Sequence, residues 1–125
     1  MNYQVLIVDD SKLARMAIGR ALTRLYPDWT QLEAKNADEA LELARTASVD
    51  IALLDFNMPG RDGLQLAAEL QHVAPNAIIA LVSANSQNEI VAQTRNLGAT
   101  FLSKPLTEPA LAEFLRLTLQ RKGDV

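Results

Sequence analysis

Three aspartates, a serine and a lysine stand at or just past the ends of unbroken apolar runs. Asp9 and Asp10 follow residues 5–8, Asp55 follows 51–54, Ser83 follows 77–82, and Lys104 lies just beyond 99–102. An apolar run does not account for a polar residue at its carboxyl end. In an open doubly wound sheet, ligands bind beyond those ends, where the strand order reverses. With strand order 2-1-3-4-5 the reversal lies between strands 1 and 3, so Asp9, Asp10 and Asp55 are expected to converge there. Three carboxylates around one ammonium repel one another unless a cation neutralises them or some keep protons. The donors are all oxygens, which favours Mg²⁺ or a similar hard ion that keeps part of its hydration shell. Such a site suits phosphoryl transfer: Asp55 would attack phosphorus while the cation, Lys104 and Ser83 hold the phosphoryl oxygens.

The elements that must position these residues are legible as a period. Five short apolar runs, 5–8, a weaker 30–34, 51–54, 77–82 and 99–102, alternate with segments of helical spacing. Unbroken apolar runs suit strands covered on both faces, so the sheet is read as parallel, with helices on each side. Between the runs lie helix candidates of about 10–15 residues, the length that a right-handed crossover needs. Ser11 is expected to cap a first helix with Leu13, Ala17, Ile18, Ala21, Leu22 and Leu25 on its inner face, stopped by Pro27. Asn36 caps a second, with Glu39 completing a capping-box-like pattern. Leu64, Leu66, Ala67, Leu70 and Val73 mark a third, ending before Pro75. The fourth, mostly polar, spans 86–97 and closes on Gly98. Thr107 caps the fifth, with Pro109 in its first turn. The fold class is therefore α/β, a (βα)5 doubly wound, flavodoxin-like unit forming one domain over 1–125.

Composition narrows the function. Of 125 residues, 49% are hydrophobic and 22% charged, the balance of one compact domain. The absence of cysteine removes disulfide scaffolds, thiolate metal sites and cysteine nucleophiles together. Twelve basic against fifteen acidic side chains give a formal charge of -3, so bulk charge offers no reason to bind nucleic acid or a membrane. Without an apolar stretch long enough for a signal peptide or a membrane span, the expected location is cytoplasmic.

The sequence resembles a known family. Residues 5–11, ending in Asp9-Asp10-Ser11, the stretch Asp55-Phe56-Asn57-Met58-Pro59-Gly60 continuing to Asp62-Gly63, the pair Ser83-Ala84, and Gly98-Ala99 followed by Phe101-Leu102-Ser103-Lys104-Pro105 are similar to a response-regulator receiver domain of the chemotaxis (CheY) type. The likeness runs from about residue 3 to about 120, with four separated motifs in order. It implies a two-component or phosphorelay switch in which Asp55 accepts phosphate from a histidine kinase, a phosphotransfer protein or a small donor. Asp10 and Asp55 would ligate Mg²⁺ directly, Asp9 through water and Asn57 through its backbone carbonyl, while Ser83 and Lys104 bind the phosphoryl group. Phe101 matches an aromatic switch position, and the Lys104-Pro105 bond is expected to be cis. Arg61 stands where many members carry an apolar residue. Asn57 and Asn85 occupy positions linked to phosphoryl lifetime. Catalysis would be limited to the domain's own phosphorylation and dephosphorylation. Its output would be contact with a downstream protein, unless the chain is cut from a longer regulator.

Each residue also has an ordinary use. Aspartates at strand ends cap helices or shape turns, Lys104 alone would be solvated, and Ser83 alone would cap the fourth helix. The coincidence of all five at matching strand ends outweighs those uses. Phe101 fits plain packing about as well as a switch, His72 reads as a solvated residue, and Trp29 as packing over a strand edge. Ala110, Leu111, Phe114, Leu115, Leu117 and Leu119 cover a wider arc of the fifth helix than packing on a sheet requires. That excess suggests a partner or homodimer surface on helix 4, strand 5 and helix 5. Rival readings are a small aspartate phosphatase, weakened by the adjacent rather than Asp-x-Asp pair, an FMN protein, whose phosphate Asp9 and Asp10 would repel, and a docking module that no longer phosphorylates.

Overall fold

The computed structural model describes residues 2–58 and 60–123. Strands and helices alternate: β1 (Gln4–Val8), α1 (Lys12–Leu25), β2 (Thr30–Ala34), α2 (Ala37–Thr46), β3 (Ile51–Asp55), α3 (Gly63–Val73), β4 (Ile78–Ser83), α4 (Asn88–Asn96), β5 (Thr100–Ser103) and α5 (Glu108–Arg121). The strands form one parallel sheet in the order β2-β1-β3-β4-β5. The expected fold class is thus observed.

Side chains alternate across a strand, so each central strand feeds two cores. Val5, Ile7, Ile51 and Leu53 face one side, where Leu22 of α1 and Leu111, Phe114 and Leu115 of α5 cover them. Leu6, Val8, Ala52 and Leu54 face the other, under Leu41 of α2 and Leu66 and Leu70 of α3. Ile51, Leu53 and Leu54 are at most 1% exposed, and each such burial is worth roughly 1.5–3 kcal/mol. β3 therefore sits at the centre of both cores, paired with β1 and β4, and carries Asp55 as its last residue.

Local caps set the loops around that end. Ser11, Asn36 and Thr107 each accept a backbone N–H with their side chain, as their positions predict. The Asn36 box is incomplete, because the Glu39 carboxylate accepts from the Lys35 N–H instead of that of Asn36. A full capping box forms at Asp62 and Gln65, which bond each other's backbone N–H at 2.9 and 3.0 Å. α4 begins at Asn88, two residues later than the sequence suggested, since Gln87 offers no side-chain cap. Gly98 ends it at φ +77°, a left-handed conformation that glycine adopts without a Cβ penalty.

Two expectations for α1 are corrected. Leu13 is 78% exposed and Ala17 is also exposed. The stripe that meets the sheet runs through Ile18, Ala21, Leu22 and Leu25. At 100° per residue Leu13 lies about 140° around the helix from Ile18, which places it toward solvent. His72 is exposed, as expected, and Trp29 is buried at the edge of the sheet.

Candidate functional site

The carboxyl ends of β1 and β3 bring Asp9, Asp10 and Asp55 together, with one carboxylate oxygen from each lying within 4.8 Å of the others. Asp9 is 3% exposed and Asp55 4%, whereas Asp10 is open to solvent. Lys104, delivered by the loop after β5, places its Nζ 2.8 Å from Asp55 Oδ1 and 3.7 Å from Asp9 Oδ2. The Lys104-Pro105 peptide is cis. Ser83 closes β4 one residue beyond Val82, the partner of Asp55 in the ladder. It is buried, its Oγ accepts the Asn85 N–H at 2.9 Å, and its carbonyl accepts the Lys104 N–H at 3.0 Å. The last bond joins the ends of β4 and β5, so hydroxyl and ammonium are held on adjacent chains.

The electrostatics follow from this crowding. Burial raises the Asp9 carboxyl above its ordinary range. The Ser11 N–H bonded to it and the Lys104 charge oppose the rise, while the charges of Asp55 and Asp10 add to it. Burial acts to lower Lys104, but its hydrogen bond to Asp55 and the charges of Asp55 and Asp9 outweigh that, so its ammonium holds its proton more tightly than usual. A divalent cation fits the same balance: the cluster offers only oxygens, carries more negative than positive charge, and leaves Asp10 facing water.

The β3–α3 loop brings Asn57 to the rim, exposed, with its N–H 3.4 Å from Asp55 Oδ1. Gly63 starts α3 hard against the strand end. A Cβ there would lie 2.7 Å from the Asp55 carbonyl oxygen and 2.5 Å from Leu81 Cδ1, so a side chain forces backbone to move. Arg61 lies on the same loop. It ion-pairs with Asp38 Oδ1 at 3.1 Å and Glu69 Oε2 at 2.7 Å, tying the loop to α2 and α3. A cleft of about 530 Å³ beside Asp10 is lined by Lys35, Asn36, Asp38, Gly60 and Arg61. A more apolar cavity of about 250 Å³ opens on Asp9, Asp55 and Lys104 between α1 and Pro105. Phe101 is half-buried on β5, opposite Leu81.

One contact was not expected. Arg15, on the first turns of α1, donates from Nη1 to the Asp9 carbonyl at 2.6 Å and from Nε to Glu33 Oε1 at 3.0 Å. A basic residue among other basic residues on a helix gives no local sign that it reaches a strand end.

A five-stranded parallel sheet in this order, with an acidic cluster and a lysine at the reversal of strand order, defines a doubly wound α/β domain with its polar site at the carboxyl ends of the strands. The sequence pattern of the response regulator receiver domain matches residues 5–116, and the chain belongs to that family. The chemotaxis protein CheY of Thermotoga maritima is 33% identical over 116 residues, covering 92% of this chain and 96% of that protein. The positive alginate biosynthesis regulatory protein of Pseudomonas aeruginosa is 40% identical over 116 residues, covering 90% of this chain and 45% of that protein. In fold, a CheY-like receiver domain protein from Methanospirillum hungatei superposes with a TM-score of 0.89 at 22% identity, covering 98% of each chain. The chain spans about half the length or less of several curated relatives, among them a glycerol metabolism activator of Pseudomonas putida, of which it covers 47%. This is a receiver domain of response regulators, a signalling switch of two-component systems. Among the described residues, no helix is long and apolar enough to cross a membrane.

Proposed function

We propose that residues 1–125 form a single receiver domain that takes a phosphoryl group onto Asp55, loses it by hydrolysis, and signals through protein contact. The observation that carries this is the Asp55 carboxylate, buried, 2.8 Å from the Lys104 ammonium and within 4.8 Å of two further carboxylates. A structural ion pair would not need Asp9 and Asp10 crowded beside it, because their repulsion costs stability.

In the forward step an Asp55 oxygen forms a bond to phosphorus. The bond from phosphorus to the donor nitrogen of a phosphohistidine, or to the donor oxygen of an acyl phosphate, breaks, and its electron pair leaves with the donor. Lys104 exchanges its contact with Asp55 for a phosphoryl oxygen, and the Ser83 hydroxyl donates to another. In the separate hydrolytic step a water oxygen forms a bond to phosphorus while the bond from phosphorus to the Asp55 oxygen breaks, its electron pair restoring the carboxylate as inorganic phosphate leaves. Magnesium, when bound, supplies positive charge that neutralises the phosphoryl oxygens. Its holders would be the carboxylates of Asp10 and Asp55 and the Asn57 carbonyl, with Asp9 acting through water. Catalysis is confined to the domain's own phosphorylation and dephosphorylation.

The partners are a histidine kinase or phosphotransfer protein and a downstream protein, with neither nucleic acid nor membrane bound directly, and the location is the cytoplasm. Ser83 and Phe101 would report the phosphorylated state to the face made by α4, β5 and α5. Leu117 is 45% exposed there, next to a groove of about 280 Å³ lined by Leu102 and Phe114, which supports a partner or homodimer surface. The test is incubation with acetyl phosphate with and without Mg²⁺, read by intact mass. Labelling should require the metal and fall more than about 10³-fold in Asp55→Asn. Labelling that survives the substitution would remove Asp55 from its role.

A further inference from the structure

The three carboxylates of the site are not held equally. Asp9 is fixed through its N–H to the Ala34 carbonyl at 3.2 Å, its Oδ1 to the Ser11 N–H at 2.9 Å and its carbonyl to Arg15 at 2.6 Å. Asp55 is fixed by β3 and by Lys104. Among the described residues, the Asp10 side chain accepts no hydrogen bond, and it is exposed. A carboxylate with no partner takes its direction from its backbone. The peptide plane joining Asp9 to Asp10 contains both the Asp9 carbonyl oxygen and the Asp10 Cα, so whatever grips that oxygen helps to fix the point from which the Asp10 side chain departs.

Arg15 is built for that grip. Its side chain is only 14% exposed, and its planar fork spends one donor on the Asp9 carbonyl and another on Glu33 of β2, which fixes the guanidinium from behind. Three elements, β1, β2 and α1, therefore meet at one cation next to the acidic cluster. A lysine carries the same charge as a single compact donor group without the planar fork, so it would keep either the carbonyl or Glu33 in good geometry, not both.

We propose that Arg15 is a positioning residue for cation binding: by clamping the Asp9 carbonyl it orients the otherwise unsupported Asp10 carboxylate toward Asp55. The inference rests on the reading of Asp10 as a direct Mg²⁺ ligand, and it assigns to a residue outside the ligand set the geometry of a residue within it.

The experiment is calorimetric titration of the full chain with MgCl2, for wild type, Arg15→Lys, Arg15→Met, Asp10→Asn and the Arg15→Met/Asp10→Asn double variant. Removing an outer partner of a metal ligand costs roughly 10–100-fold in affinity, and here about tenfold is expected for Arg15→Met, with Arg15→Lys also weakened. In the Asp10→Asn background Arg15→Met should change affinity by less than about twofold, because the carboxylate it orients is gone. A merely structural role for Arg15 would lower urea stability in EDTA and act additively with Asp10→Asn. Additivity, or wild-type affinity in Arg15→Met, overturns the proposal. If Arg15→Met does not fold, the ¹³C shift of the Asp9 carbonyl in metal-free Arg15→Lys decides the matter. An unmoved shift counts against the clamp, and a moved shift with weakened Mg²⁺ binding supports it. Wild type that binds no Mg²⁺ at millimolar concentration would overturn the ligand reading itself, a failure visible before any substitution is compared.

Discussion

At the amino ends of β1 and β2, Tyr3, Tyr26 and Trp29 form an aromatic cluster. Tyr26 stacks on Trp29 with centroids 4.0 Å apart and planes 7° from parallel, while Tyr3 meets Trp29 edge-on at 5.2 Å. Lys122 lies 5.6 Å above the Tyr3 ring, so its cation faces the electron-rich ring. At the carboxyl ends of the same sheet, buried positions hold Asp9, Asp55 and Ser83. One rim buries large apolar area, with Tyr3 and Trp29 in the edge-to-face arrangement that aromatic rings prefer. The other buries carboxylates that repel each other and that, among the described residues, only Lys104 and backbone N–H groups offset. The strands between them are common to both, so the molecule keeps a stabilising rim and a costly, chemically useful rim about one strand length apart.

That contrast is broken most forcefully at Trp29. Trp29→Ala is expected to cost about 3–5 kcal/mol in urea unfolding, while Mg²⁺ affinity of the folded protein stays within about twofold of wild type. A matching loss of metal affinity would show that the two rims are coupled through the strands. Next in size is Gly63→Ala, which pushes a methyl against the Asp55 carbonyl and Leu81. It should cost about 1–3 kcal/mol and, unlike the change at Trp29, also slow labelling by acetyl phosphate. Unchanged labelling would mean that α3 yields without moving the strand end.

The smallest effect has the opposite sign. Because the folded Asp9 carboxyl titrates above its unfolded value, the folded state binds the proton more tightly. The stability this contributes is full below an unfolded pKa of about 3.9 and is lost as pH rises through the folded value. At pH 7 the metal-free protein therefore carries a penalty. Asp9→Asn keeps an oxygen for the Ser11 N–H and should stabilise metal-free protein at pH 7 by about 1 kcal/mol. It should also flatten the fall in stability above about pH 4 and weaken Mg²⁺ binding. A variant less stable than wild type in EDTA would mean that the acidic rim is not the costly one.

Much of this was legible in residue order. Apolar runs and helical spacing report burial within one element, and burial is what selects strand, helix and face, so five strands and five helices follow from pattern, whereas the 2-1-3-4-5 order follows from the family resemblance and is seen in the sheet itself. The strand-end positions of Asp9, Asp55, Ser83 and Lys104 were visible for the same reason. Leu13 was misplaced because a leucine at helical spacing carries no mark of whether a neighbour covers it. The same holds for Arg15 and Arg61. Their partners, the Asp9 carbonyl, Glu33, Asp38 and Glu69, include side chains up to 23 positions away and a backbone oxygen that has no identity in sequence.

Sequence by itself determined which residues gather at the carboxyl rim, because strand ends are set by where apolar runs stop. Only the tertiary structure decided how they are held: Lys104 2.8 Å from Asp55, Gly63 without room for a methyl, Arg15 gripping a carbonyl. Spacing along a chain encodes which face is buried, whereas hydrogen bonds depend on distances of a few tenths of an ångström between elements, and those are set by the packing of both cores at once.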